Sequence, residues 1–133
     1  MIELSWPGLL LVAAGGALGS VARWATTLWV ISRLGATPGF PWATFGINVV
    51  GSFLIGLVAG LALDGSLGVS PGARLFLAVG VLGGFTTFST FSLEVLGAAQ
   101  AGRGGIALLY ALASVVLGVG AAAGGLALAR VLR

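Results

Sequence analysis

Apolar runs of about twenty residues recur four times along this chain, and each gap between them is filled with turn-forming residues. A helix that crosses a bilayer needs about 20 mostly apolar residues, and a charge near the bilayer centre is costly. On that rule the pattern predicts helices over about residues 7–31, 42–63, 74–98 and 104–129. The first carries Arg23 well inside it and the third carries Glu94. Breakers fill the connections: Gly35 to Pro41, Asp64 to Gly72, and Gln100 to Gly104. The expectation is an all-α membrane protein forming one transmembrane domain over residues 1–133. A cleavable leader would be followed by a soluble chain, whereas here apolar character resumes three more times, so no removed segment is expected.

Composition turns that expectation into an exclusion. Of 133 residues, 59% are hydrophobic and 7% charged, where a soluble domain carries about a quarter. The solvent is therefore lipid, and a multi-pass protein of the inner or plasma membrane is expected. The chain has no Cys and no His, and its six basic residues are all Arg. Thiolate nucleophiles, imidazole bases, Schiff-base lysines and the usual zinc sites are thus all missing, and an enzyme is not expected. The net charge of +3 is scattered singly rather than gathered into a phosphate-reading stripe, so nucleic acid is not an expected partner.

Small residues recur four apart: Gly15 with Gly19, Ser52 with Gly56 and Gly60, Gly80 with Gly84, and Gly120 with Gly124. In lipid such stripes let backbones approach closely, which predicts tight packing and an oligomer. Basic residues flanking the spans set orientation. Arg74, Arg130 and Arg133 fall on one side, Arg33 and Arg103 on the other, with Arg23 joining them if it snorkels that way. So balanced a count permits insertion in both directions, and hence an antiparallel homodimer.

The densest chemical signal is in the third span, where Gly80, Gly83 and Gly84 lead into Phe85-Thr86-Thr87-Phe88-Ser89-Thr90-Phe91-Ser92. Consecutive glycines loosen a helix, and the hydroxyls crowd directly behind them, so a helix break is expected here. Free backbone groups at membrane depth are tolerated only where buried in protein or coordinating ions or water. The alternative is a packing kink whose hydroxyls bond back to their own helix. Phe85, Phe88 and Phe91, spaced three apart, are expected on one face. Ring edges carry the positive end of the aromatic quadrupole. Together with hydroxyl donors they would hold a small anion weakly enough for it to move on. Asn48 is either a further donor or interhelical glue, and Tyr110 and Ser114 lie one turn apart on the fourth span. Arg23 reads equally as a snorkelling anchor or an anion-gathering group, and Glu94 as a carboxylate capped by backbone and hydroxyls.

Three segments carry a resemblance: GGALGSVARW at 15–24, FGINVVGSFLIG at 45–56 and GGFTTFSTFS at 83–92. They resemble the signature segments of the small prokaryotic fluoride channels, the Fluc or CrcB-type family. The resemblance implies an antiparallel, dual-topology dimer of four-helix subunits with a broken third helix and two fluoride pathways. It also implies a structural Na+ at the dimer centre, held by backbone carbonyls of Gly83 and Thr86. It places the ring edges of Phe88 and Phe91 against fluoride with Asn48 beside them, a hydroxyl track at Ser89, Thr90, Tyr110 and Ser114, and Arg23 at the vestibule. Gly118 stands where the family often carries a further hydroxyl.

The function so implied is passive, fluoride-selective export that relieves fluoride toxicity. The competing class is a small four-helix proton-coupled multidrug exporter, which needs a membrane-embedded carboxylate. Against it, Glu3 precedes the first span and Asp64 lies in a loop. A third class, a noncatalytic subunit of a larger membrane complex, would use the glycine stripes but leave the hydroxyl and Phe cluster without a purpose.

Overall fold

The computed structural model describes residues 5–35, 39–63 and 69–132, so Glu3, Asp64 and Arg133 lie outside the described residues. All regular structure among them is helical: α1 Trp6–Leu34, α2 Trp42–Leu63, α3 Pro71–Arg74, a π-helical stretch Leu75–Leu82, α4 Gly83–Phe85, α5 Phe88–Gln100 and α6 Gly104–Val131. Four helical spans, with α3 to α5 counted as one, are long and apolar enough to cross a membrane.

The termini follow local chemistry. Ser5 caps α1 by accepting the Gly8 N–H at 3.3 Å, and proline occupies the first turn, where its missing donor costs nothing. Gly35 ends the helix at φ 76°, a backbone region suited to glycine, with its N–H bonded to the Ile31 carbonyl at 2.8 Å. Ser70 caps α3 through the Ala73 N–H at 3.1 Å, again with proline in the first turn. The third span thus begins at Pro71, a turn ahead of the expected start.

Large apolar side chains point outward, including Leu10, Val21, Leu93, Val116 and Val119, while the buried positions are mostly small: Gly15, Gly19, Ala98, Ala107, Gly125 and Ala129. Soluble proteins show the reverse order. Among hydrocarbon tails, Leu gains nothing by burial, so helices associate by close backbone approach. A Cβ at Gly15 would lie 2.9 Å from Gly80 Cα, and one at Gly19 would overlap the Val81 carbonyl oxygen. Between α2 and α6 the same holds for Gly56 against the Ala122 carbonyl and Gly125 against the Phe53 carbonyl. The expected stripe at Gly120 and Gly124 is corrected here. Gly120 faces open space and a Cβ at Gly124 would meet Phe53 only at 4.0 Å, because the seam on α6 passes through Gly125.

Contacts across the α2–α6 seam advance together at a nearly constant offset: Ser52 faces Gly118, Gly56 faces Ala122, and Gly60 faces Ala129 and Leu126. Residue numbers rise together on both, so α2 and α6 run parallel. The same offset brings Thr44 level with Tyr110 and Asn48 level with Ser114.

Candidate functional site

Helical backbone stops at Phe85 and resumes at Phe88. Between them Thr86 (φ −81°, ψ 156°) and Thr87 (φ −152°, ψ 116°) are extended. The extended pair falls at the C-terminal end of the expected Gly83 to Thr86 stretch and one residue beyond it, while Gly83 itself is helical at φ −63° and ψ −37°. Gly84 is instead a packing glycine, its Cβ position set against the Gly16 backbone of α1.

What holds Thr87 in this conformation comes from α2. The Asn48 side chain reads both backbone groups of Thr87: Nδ2 donates to the carbonyl at 3.0 Å, and Oδ1 accepts the N–H at 2.9 Å. The Thr87 hydroxyl then caps α5, accepting the Thr90 N–H at 3.3 Å and donating to Thr90 Oγ1 at 3.0 Å. In a continuous helix the N–H groups of Thr87 and Thr90 would bond the carbonyls of Gly83 and Thr86. Both N–H groups are directed to side chains, which leaves those carbonyls without their usual helical donors. Among the described residues no group of three or more His, Cys, Asp or Glu could hold a metal ion.

Two cavities meet at Thr87. The larger, about 870 Å³, is lined by Arg23, Thr27, Thr44, Thr90, Glu94 and Arg103 among others. The smaller, about 290 Å³, is lined by Asn48, Ser52, Thr86, Phe88, Phe91 and Ser114 among others. Thr87 lines both and is itself buried. The Phe88 and Phe91 centroids are 5.4 Å apart, and Phe91 meets Tyr110 edge-on at 5.1 Å. Phe85 does not extend that pair. The extended residues interrupt the face that spacing predicted, and its ring lies toward Gly51 of α2. Ser114 Oγ is buried beside the smaller chamber and has no hydrogen-bond partner.

The expected hydroxyl track separates into two places. Ser114 belongs to the smaller chamber and Thr90 to the larger. Ser89 is exposed, with its hydroxyl 3.4 Å from that of Thr87, and Tyr110 is fully buried and donates to Glu94 Oε2 at 2.7 Å. Ser92 bonds back to the Phe88 carbonyl at 2.9 Å, as a helix-internal hydroxyl does.

The sequence reading gave no site role to Thr44, Ser52 or Arg103, and the hydroxyl capping it offered for Glu94 is present, with donors it did not name. Thr44 donates to Glu94 Oε1 at 2.8 Å, so α2 and α6 each give one hydroxyl to a carboxylate on α5. The missed signal was periodicity: Thr44, Asn48 and Ser52 are four apart and form one polar row on an otherwise apolar helix. Arg103 donates to the Gly39 carbonyl at 3.3 Å, joining two of the connections, and both residues line the larger cavity.

Comparison with known proteins places this architecture. A family model described as CrcB-like protein, Camphor Resistance (CrcB), matches residues 10–126. A protein of Thermus thermophilus named Fluoride-specific ion channel FluC is 59% identical over 110 residues, covering 83% of this chain and 84% of that protein. Proteins of the same name from Rhizobium meliloti and Nitrobacter winogradskyi are 50% and 49% identical, covering 92% and 97% of this chain and 95% and 100% of theirs. With the family model spanning all four membrane helices and relatives matching nearly end to end, the chain belongs to the CrcB-like family.

Proposed function

We propose that this protein is a fluoride-selective channel that lets fluoride leave the cell passively across the cell membrane. The observation that carries the reading is the smaller chamber, where a buried, partnerless Ser114 hydroxyl, the Asn48 amide and the Phe88 and Phe91 rings converge. Fluoride is small and strongly hydrated, so a pore must replace several waters at once without holding the ion in a deep well. Neutral donors and ring edges do that, and the guanidinium of Arg23 lines only the wider cavity outside. The relatives named as fluoride-specific channels support the same assignment.

The active unit in this proposal is an antiparallel homodimer. Phe88 is 78% exposed on the single chain, beside the extended Thr86–Thr87 pair, and a second copy would cover this face. The third span then acts as a broken helix, two such breaks crossing at the dimer centre. The Gly83 and Thr86 carbonyls would hold a Na+ there, whose charge would neutralise oxygen dipoles left without helical donors. The exporter reading finds no support: Glu94, the acidic residue among those described, has both carboxylate oxygens taken by hydroxyls of Thr44 and Tyr110. Reconstitution into liposomes tests the function directly. Fluoride efflux well above chloride efflux is expected, and absence of fluoride efflux would overturn it.

A further inference from the structure

We propose that Ser52 on α2 supplies the hydroxyl that α6 lacks at Gly118, so that the anion path crosses from one helix to its parallel neighbour. The inference rests on the fluoride reading above and adds a residue to it.

The α2–α6 offset sets the levels. At one level Asn48 of α2 stands beside Ser114 of α6, and both line the smaller chamber. One turn on, α6 offers Gly118, a residue with no side chain to donate. A methyl-sized group there would lie 3.6 Å from Ser52 Oγ, so the Ser52 hydroxyl sits against the bare patch of α6. Ser52 also lines the chamber. Ser114 Oγ, buried and without a partner, points to an occupant that accepts hydrogen bonds, since a buried hydroxyl left unmade is costly. Ser52 and Ser114 thus present two donors from two helices to one small space. With no side chain at Gly118, the Ser52 hydroxyl keeps room to turn toward the ion.

Exchange of the hydroxyl between helices tests this. Ser52→Ala should lower fluoride flux by about three- to tenfold, the effect of losing one net hydrogen bond to the ion, while leaving the melting temperature unchanged. Adding Gly118→Ser to that variant should restore flux, because the new hydroxyl occupies the same space from the opposite wall at an ordinary contact distance. Wild-type flux in Ser52→Ala would overturn the proposal. So would a Ser52→Ala defect that Gly118→Ser fails to repair, or one that tracks a fall in melting temperature, since the role would then be packing. No fluoride flux from the wild type would overturn the channel reading itself, and this inference with it.

Discussion

Where α1 lies along the first half of the third span, Gly15 and Gly19 bring backbone against backbone, leaving no room for a methyl group. Three to four residues beyond Gly83 the same span leaves the helix, and its backbone groups are met by the Asn48 amide and the Thr87 hydroxyl. One region is held by dispersion between bare backbones, the other by directed hydrogen bonds around empty space. In lipid the first arrangement gives cohesion, because apolar side chains gain little from burial. The second keeps polar groups available at membrane depth, which is tolerated only where protein satisfies them or a cavity receives them. The glycine stripes and the hydroxyl cluster are therefore answers to separate problems, although they adjoin in sequence.

The comparison breaks most visibly on the glycine side. Gly125→Val places a side chain where the Phe53 carbonyl already sits, and backbone on a facing helix cannot rotate away as a side chain can. The cost should reach or exceed the top of the usual overpacking range of about 1–3 kcal/mol, giving little or no monodisperse protein on size exclusion in detergent. Gly124→Ala, one residue earlier, meets only the Phe53 ring at 4.0 Å and should melt at or slightly above the wild-type temperature. Equal behaviour of the two would show that backbone contact is not what holds α2 to α6.

Substitution of Asn48 attacks the other region and separates its two roles. Asn48→Leu orphans the Thr87 N–H and carbonyl together, at about 1–3 kcal/mol for each, so melting temperature and flux should both fall. Asn48→Asp keeps an acceptor for the N–H, loses the donor to the carbonyl and adds negative charge beside the chamber. It should retain more stability than Asn48→Leu, yet conduct little fluoride. Wild-type flux from Asn48→Asp would mean that the amide serves the fold alone.

A smaller effect on stability, though not on transport, is expected from the rings. Phe88→Ile keeps bulk but removes the quadrupole, and flux should drop by about tenfold, comparable to the upper end of aromatic-pair energies. Phe91→Ile should lose flux similarly and some stability too, because Phe91 also meets Tyr110 edge-on. Efflux at the wild-type rate from both variants would reduce the rings to packing.

How far the sequence spoke depended on the range of each interaction. Four spans were legible because bilayer thickness imposes a length that composition alone reveals, and ends such as Ser5-Trp6-Pro7 and Gly35 are local chemistry. Of the residues expected at a site, Asn48, Phe88, Phe91 and Ser114 stood out as polar or aromatic residues in apolar surroundings, and the structure brings these four to one chamber. What stayed hidden needed partners far along the chain. Within and just past the expected Gly83 to Thr86 stretch the extended pair is Thr86–Thr87, because Asn48, on another helix, grips Thr87. Glu94 finds Thr44 and Tyr110 on two different helices. The α6 seam runs through Gly125 rather than Gly124, a register that a stripe of adjacent glycines leaves undecided.

The finest test concerns how the wide cavity feeds the narrow one. Arg23 and Arg103 both line the larger cavity, so two guanidinium groups stand there against the single carboxyl group of Glu94. Positive charge lining such a cavity raises the local anion concentration, and the effect decays over a Debye length, about 8 Å at 0.15 M salt and about 30 Å at 0.01 M. Arg103→Gln should therefore slow fluoride entry by about two- to threefold at 0.01 M ionic strength and leave it unchanged near 1 M. Arg103 also holds the Gly39 carbonyl, a bond that glutamine can still donate, so the substitution removes charge without removing the tether. Arg103→Lys keeps the charge and should restore the steep salt dependence even if the hydrogen bond is altered. A defect in Arg103→Gln that persists undiminished at high salt would assign Arg103 to holding the two connections together, and the larger cavity would then be an open antechamber with no steering of its own from that side.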